Sequence, residues 1–148
     1  MSGRKHAAAG LVRRTLFGLL LPLGYLAGCA EIPLGPPTPS FGNIEKARQS
    51  ATGPVAVGGF QLAPGVATGI DRGLDVRTNA LRSPIDGSFA QYLRQTLVID
   101  LQAAGLYDAS APAVLSGFLT DSRLDVPSDV GQASLGARFV LTVRGKTV

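Results

Sequence analysis

Side chains able to do chemistry are few in this chain, and most stand where they cannot do it. Across 148 residues there is one Cys, one His, one Met and no Trp. His6 and Met1 both precede Cys29, so the chain after the cysteine has no imidazole base for a serine or cysteine nucleophile. It also lacks a nitrogen–sulfur set to hold zinc. Ser2-Gly3-Arg4-Lys5 has the Ser-x-x-Lys spacing of acyl enzymes but lies in a basic N-terminal segment that reads as removed. Gly145-Lys146-Thr147 ends like a phosphate-binding loop, yet that motif needs glycine where Val140 stands and a helix behind it, so it reads as a hairpin turn.

The carboxylates are the remaining candidates. Asp121, Asp125 and Asp129 recur near an expected hairpin loop, but their spacing is too sparse for a calcium loop and suits a solvated sheet edge. Asp100 is more informative. On a helical wheel it falls between Phe89 and Leu93, inside an apolar face, where a carboxylate must pair, cap a neighbour or sit at a rim. Arg138 is the expected partner in a structural ion pair, with Arg123 as the alternative. A hydrolase built on Asp100 and Asp121 would need two carboxyls facing across a cleft, and the spacing places no such pair. No catalytic residue, metal site or cofactor is assigned.

Charge divides the chain at the same cysteine. Four of the fourteen Lys and Arg (Arg4, Lys5, Arg13 and Arg14) precede Cys29, leaving ten against ten Asp and Glu. The remainder is formally neutral and has no basic face for a phosphate backbone, which argues against nucleic acid as a partner.

Residues 15–27, TLFGLLLPLGYLA, are apolar and uncharged behind the basic flank. At ~1.5 Å per residue this stretch is too short to span a ~30 Å hydrocarbon core as a helix, and it reads as a secretory signal. Leu26-Ala27-Gly28-Cys29 closely resembles the bacterial lipobox. In that family Leu26, Ala27 and Gly28 would form the cleavage motif, the Cys29 thiol would receive diacylglycerol, and its freed amine would take a further acyl chain such as palmitate. Ala30, in place of aspartate, implies the outer membrane by the enteric sorting rule. Val12-Arg13-Arg14-Thr15-Leu16-Phe17 partly resembles a twin-arginine signal, but the leucine-rich core favours the general route. Two or more acyl chains hold a protein stably on a bilayer.

The elements that follow are read from periodicity. Residues 29–50, with Pro33, Pro36, Pro37 and Pro39, read as the lipidated cysteine and an extended proline-rich tether, with a short helical turn near Asn43–Arg48. Residues 51–148 read as the folded domain. Val55 and Val57 mark a first strand at 54–60, and 62–88 reads as a long loop with a short strand near Leu74–Arg77. Ser88 and Gln91 form a capping box, and Phe89, Leu93, Leu97, Leu101 and Ala104 recur at helical spacing up to Gly105. This predicts a helix over 89–104 with Gln91, Arg94, Gln95 and Gln102 on its solvent side. Tyr92 and Tyr107 flank it as candidate walls of a groove for an apolar ligand, with core packing as the other explanation.

Two strands, 114–120 leading into 121–126, precede an alternating run in which Leu135, Ala137, Phe139, Leu141 and Val143 would face the helix. Gly145-Lys146 would make a two-residue turn with glycine first. Only Thr147 and Val148 follow, so either a shortened C-terminus or a very short edge strand is expected. The fold class predicted is α+β: one small domain with an amphipathic helix on a mainly antiparallel sheet.

The succession LRSPIDGSFAQYLRQTLVIDLQAAGLYD, AVLSGFLTDSRLDV and ASLGARFVLTVRGKTV resembles small Gram-negative lipoproteins of the YajG-like and ABC-transporter-auxiliary kind. The resemblance implies a periplasmic α+β domain without known catalysis, and a further strand and C-terminal helix. The expectation is an envelope lipoprotein, lipid-anchored to the outer membrane on its periplasmic side, with an accessory or partner-binding role in envelope assembly or transport. The alternative is a lipid- or envelope-glycan-binding module with a groove between helix 89–104 and the sheet.

Overall fold

In the computed structural model, residues 31–50, 53–76, 79–125 and 132–148 are described. Leu26, Ala27, Gly28 and Cys29 lie outside them, as do Ser2–Lys5 and Asp129. Ten elements follow in order: β1 (Glu31–Pro33), α1 (Phe41–Gln49), β2 (Ala56–Leu62), α2 (Gly69–Arg72), β3 (Leu74–Val76), β4 (Asn79–Arg82), α3 (Phe89–Ala104), β5 (Ala113–Asp125), β6 (Gln132–Val143) and β7 (Lys146–Thr147). A four-stranded sheet has the order β2-β5-β6-β7, and a three-stranded sheet the order β1-β4-β3. The class is α+β, in one small domain.

The larger sheet is mixed. β5–β6 and β6–β7 are antiparallel, but β2 and β5 run parallel. Parallel neighbours need a long crossover, and α3 is the longer of the two helices within it. The expected loop at 62–88 is structured in part, because α2, β3 and β4 form there and β3 pairs antiparallel to β4.

α3 occupies the predicted span. Ser88 accepts the Gln91 amide at 3.2 Å, and Gly105 closes the helix in the left-handed region at φ 76°. Leu106 N–H returns to the Leu101 carbonyl at 2.9 Å, and Gly105 N–H to Gln102 at 3.0 Å, a Schellman closure. The reciprocal half of the capping box does not form. Gln91 instead donates to the Phe60 carbonyl at 2.8 Å, and Asp71 accepts both the Ala90 amide and the Ser88 hydroxyl. Arg94, expected in solvent, donates to the Gly58 carbonyl at 2.9 Å. Both side chains thus engage carbonyls of β2, an edge strand that would otherwise offer them to other chains.

The sequence suggests two strands over 114–126, but β5 is continuous and carries a one-residue bulge. Leu119 pairs with Ala137 and Asp121 with Gly136, so Thr120 is the extra residue. The bulge shifts the alternation, so the buried positions are Gly117 and Leu119 before it and Ser122 after it. β2 has a similar shift between Val57 and Phe60, where glycines stand. The core comprises Val55, Val57, Phe60, Leu74, Phe89, Ala90, Val98, Leu101 and Leu119, with Phe89 and Leu119 the largest fully buried side chains. At Gly117 a Cβ would come within 2.4 Å of the Phe60 ring, so only glycine lets that ring lie across β5. Phe139 meets Phe60 edge-on, with centroids 5.9 Å apart.

At the C-terminal hairpin the turn residues are Arg144 and Gly145, with φ of 51° and 80°. Two positive φ values make this a type I′ turn, one residue earlier than the glycine-first turn expected. β7, two residues long, lies at the edge of the larger sheet.

Candidate functional site

The segment expected to be a free tether is docked. Glu31, Ile32 and Pro33 pair in parallel with Ala80, Leu81 and Arg82, and Leu34 N–H donates to the Arg82 carbonyl at 2.8 Å. Arg82 also pairs with Glu31 at 3.4 Å. The prolines then carry the chain along α3, where the Tyr92 hydroxyl donates to the Gly35 carbonyl at 3.2 Å. They leave few backbone donors there, so the segment lies on the domain as a strap.

The strap ends at Asp100, a residue of α3 only 5% exposed. Its two carboxylate oxygens accept the Ser40 backbone N–H and the Asn43 side-chain amide, each at 2.8 Å. Ser40 is the N-cap of α1 and makes no side-chain cap of its own, so Asp100 supplies the acceptor from another helix. The polarity is matched at the other end. Arg48 of α1 donates to the Ala103 carbonyl at 3.0 Å and the Ala104 carbonyl at 3.3 Å, where α3 presents its negative end. The two helices therefore cap each other.

This corrects the expected ion pair between Asp100 and Arg138. The Arg138 guanidinium lies 5.1 Å above the Phe118 ring, and Arg123 pairs with Asp121 at 2.7 Å. Both arginines sit on strands, whereas the Asp100 carboxylate faces the strap. Ser40 and Asn43 are the partners missed in the sequence reading. A Ser followed by an amide three residues later at a helix start was the available signal, but nothing local indicates that the acceptor lies 60 residues away.

Beneath this clasp lies an apolar cavity of about 290 Å³ between α1, α3 and the sheet, lined chiefly by Val55, Leu97, Leu101, Leu106, Leu115 and Leu141. A smaller one of about 150 Å³ adjoins Leu93, Leu97, Asp100 and Phe139. Phe139 faces the helix as expected but remains 53% exposed, because α3 does not reach across all of β6. Neither tyrosine lines the larger cavity. Tyr92 bonds to the strap, and Tyr107 bridges Val55 and packs on the core.

A polar depression of about 350 Å³ lies at the start of α3, beside Asp71, Arg72 and Asp86. Asp71 already accepts the Ala90 amide there, so the helix start is served by the protein's own carboxylate. Among the described residues, no group of three or more His, Cys, Asp or Glu gathers as a metal site. Among them also, no helix is long and apolar enough to cross a membrane. Set against family models, curated proteins and solved structures, the chain matches none.

Proposed function

We propose that this chain is a lipoprotein of the bacterial envelope, anchored through Cys29, whose α+β domain serves a partner-binding role in envelope assembly or transport without catalysis of its own. The observation that carries this reading is Leu26-Ala27-Gly28-Cys29 directly behind a short apolar segment and a basic flank. A solitary cysteine in an exported chain is otherwise a liability, and lipidation accounts for its place and its solitude together. The resemblance to YajG-like and ABC-transporter-auxiliary lipoproteins supports the outer membrane, periplasmic side, as the location. Of the two carboxylates weighed for a hydrolase, Asp100 caps α1 and Asp121 makes an exposed ion pair with Arg123.

Fractionating cells that express the full chain and its Cys29→Ser variant tests this reading. The parent should co-sediment with membranes at a mass equal to residues 29–148 plus lipid. The variant should keep its precursor size and carry no lipid. A variant processed to the same mature size as the parent, still membrane-bound, refutes the anchor.

A second reading is favoured by one observation. The 290 Å³ cavity under α1 is walled by aliphatic side chains and approaches the size of small-ligand pockets. It suits a lipid chain better than a glycan, whose hydroxyls would find few partners there. Native mass spectrometry of the purified protein separates the two readings, because a binding module retains stoichiometric lipid beyond that on Cys29.

A further inference from the structure

The strap changes what an anchor at Cys29 does. A free proline-rich tether of some twenty residues would reach on the order of 60 Å at ~3.1 Å per residue. Here Glu31 is already paired with Ala80 in the three-stranded sheet, and only Ala30 separates it from Cys29. Two residue steps of extended chain cover at most about 7 Å.

We propose that the folded domain rests directly against the lipid headgroups of the membrane that holds Cys29, with the Glu31 end of the three-stranded sheet toward the bilayer. The proposal rests on the reading of Cys29 as lipid-anchored. Its occupant is the bilayer surface, and the short length of chain between the anchor and the docked strand selects it. Docking of the strap is distributed. It includes three strand pairs at β1, the Leu34 amide on Arg82, the Tyr92 hydroxyl on Gly35, and the Asp100 clasp on Ser40 and Asn43. Releasing enough chain to lift the domain would break several of these together.

The register defines which part of the body lies nearest. Glu31 pairs with Ala80, and Ala80 with Asp75, so the three residues form one row across the sheet. At ~4.8 Å per strand, Asp75 lies on the order of 10 Å from Glu31. Charge is not what draws this end to the membrane, because Arg82 is paired with Glu31. The covalent anchor imposes the contact. The partner is thereby restricted to molecules in or beside the same bilayer, since the domain reaches no further than its own diameter, on the order of 35 Å for a radius of gyration of about 13 Å.

Lys146, exposed in β7, provides the distant reference. It pairs with Val143, which pairs with Ala113, so it stands level with the Ala113 end of β5, while the α2–β3 region is tied near Ser122, whose hydroxyl donates to the Ile70 carbonyl. Nine residues of strand separate these levels, about 30 Å.

The experiment uses the full chain, processed in bacterial cells, purified and reconstituted in phosphatidylethanolamine–phosphatidylglycerol vesicles carrying a headgroup-linked quencher. With Cys29 acylated, Asp75→Cys or Lys146→Cys gives a single free thiol for a fluorophore, and both positions are exposed. Intact mass reports the lipid on Cys29. The label at Asp75→Cys should be quenched severalfold more than that at Lys146→Cys. A flexible Gly/Ser insertion of about twenty residues between Ala30 and Glu31, with an r.m.s. length near 25 Å, should abolish the difference. If Cys29 carries lipid and Asp75→Cys is quenched no more than in the insertion variant, the domain swings free. The proposal is then overturned while the anchor stands. If Cys29 carries no lipid and the protein does not sediment with vesicles, the anchor reading fails and takes the proposal with it.

Discussion

Phe89 and Leu119, exposing 1% and 0% of their surface, bind α3 and β5 into the core, whereas α1 lies along α3 without burying any residue of its own. The first region is held by area removed from water. That force is non-directional and tolerates sliding until side chains interlock. The second is held by directed bonds: a buried carboxylate at the start of one helix, and a guanidinium at the end of the other. Such bonds contribute modestly one at a time, but they are lost abruptly when geometry fails. The core therefore maintains the fold, and the clasp sets where the N-terminal segment lies.

That comparison breaks most sharply at Leu119. Replacing it with alanine should destabilise the whole domain by about 3 kcal/mol, from lost burial plus the cavity left behind. A guanidinium unfolding curve would show this as a lower midpoint at unchanged slope. A loss below about 1 kcal/mol would mean that the sheet collapses around the gap more readily than a close-packed core should.

Asp100→Ala should cost about 2 kcal/mol, from two bonds to a charged acceptor and an amide left uncapped. Its signature is local. Amide exchange should quicken at Ser40 and through α1, while core amides of β5 slow or quicken only in step with global stability. Equal acceleration in α1 and β5 would show that clasp and core form one cooperative unit.

Arg48→Ala should lower stability by about 0.5 kcal/mol, the usual worth of an exposed cation at a helix end. Added salt should shrink even this difference. An effect as large as that of Asp100→Ala would place the clasp's main hold at the wrong helix end.

The smallest effect belongs to Asp108, which is exposed and outside both regions. The Ser110 hydroxyl and then its backbone amide, at 2.7 and 2.9 Å, hold the Asp108 carboxyl below its ordinary value of 3.8. Because the folded state has the lower pKa, this turn contributes fully above the unfolded value and loses its contribution as pH falls through the folded one. A carboxyl titration by NMR should place Asp108 below 3.8, and Ser110→Ala should raise it. No shift on that substitution would remove the hydroxyl as the cause.

Legibility followed the range of the interactions. α3 was readable end to end because each determinant is local: Ser88 three residues from the amide it caps, apolar residues every three or four positions, and a glycine at the close. β6 was readable from its alternation. What failed did so for want of partners. Gln91 fits a capping box, but the Phe60 carbonyl 31 residues earlier takes its side chain. The prolines at 33–39 describe extended chain equally well in solvent or on a surface, and β4 supplies the surface.

For Asp100, the wheel position showed that a buried carboxylate needed an answer and could not say which. Two arginines were the obvious candidates by charge. The backbone amide and the carboxamide that do bind it carry no charge to draw attention in sequence. The candidate anchor is a different case, since its determinants are contiguous in residues 15–29 and require no fold to be read.

The sequence by itself determined the elements with local causes: the helix at 89–104, the alternating strand that follows it, a neutral domain after Cys29, and a cysteine motif written in adjacent residues. Tertiary structure alone decided that β2 runs parallel to β5, that β5 is bulged at Thr120, and that residues 31–49 are bound to the domain. The reason is physical. Local propensity depends on neighbours within a turn or a few residues, while strand order and the partner of a buried charge depend on which distant surfaces meet.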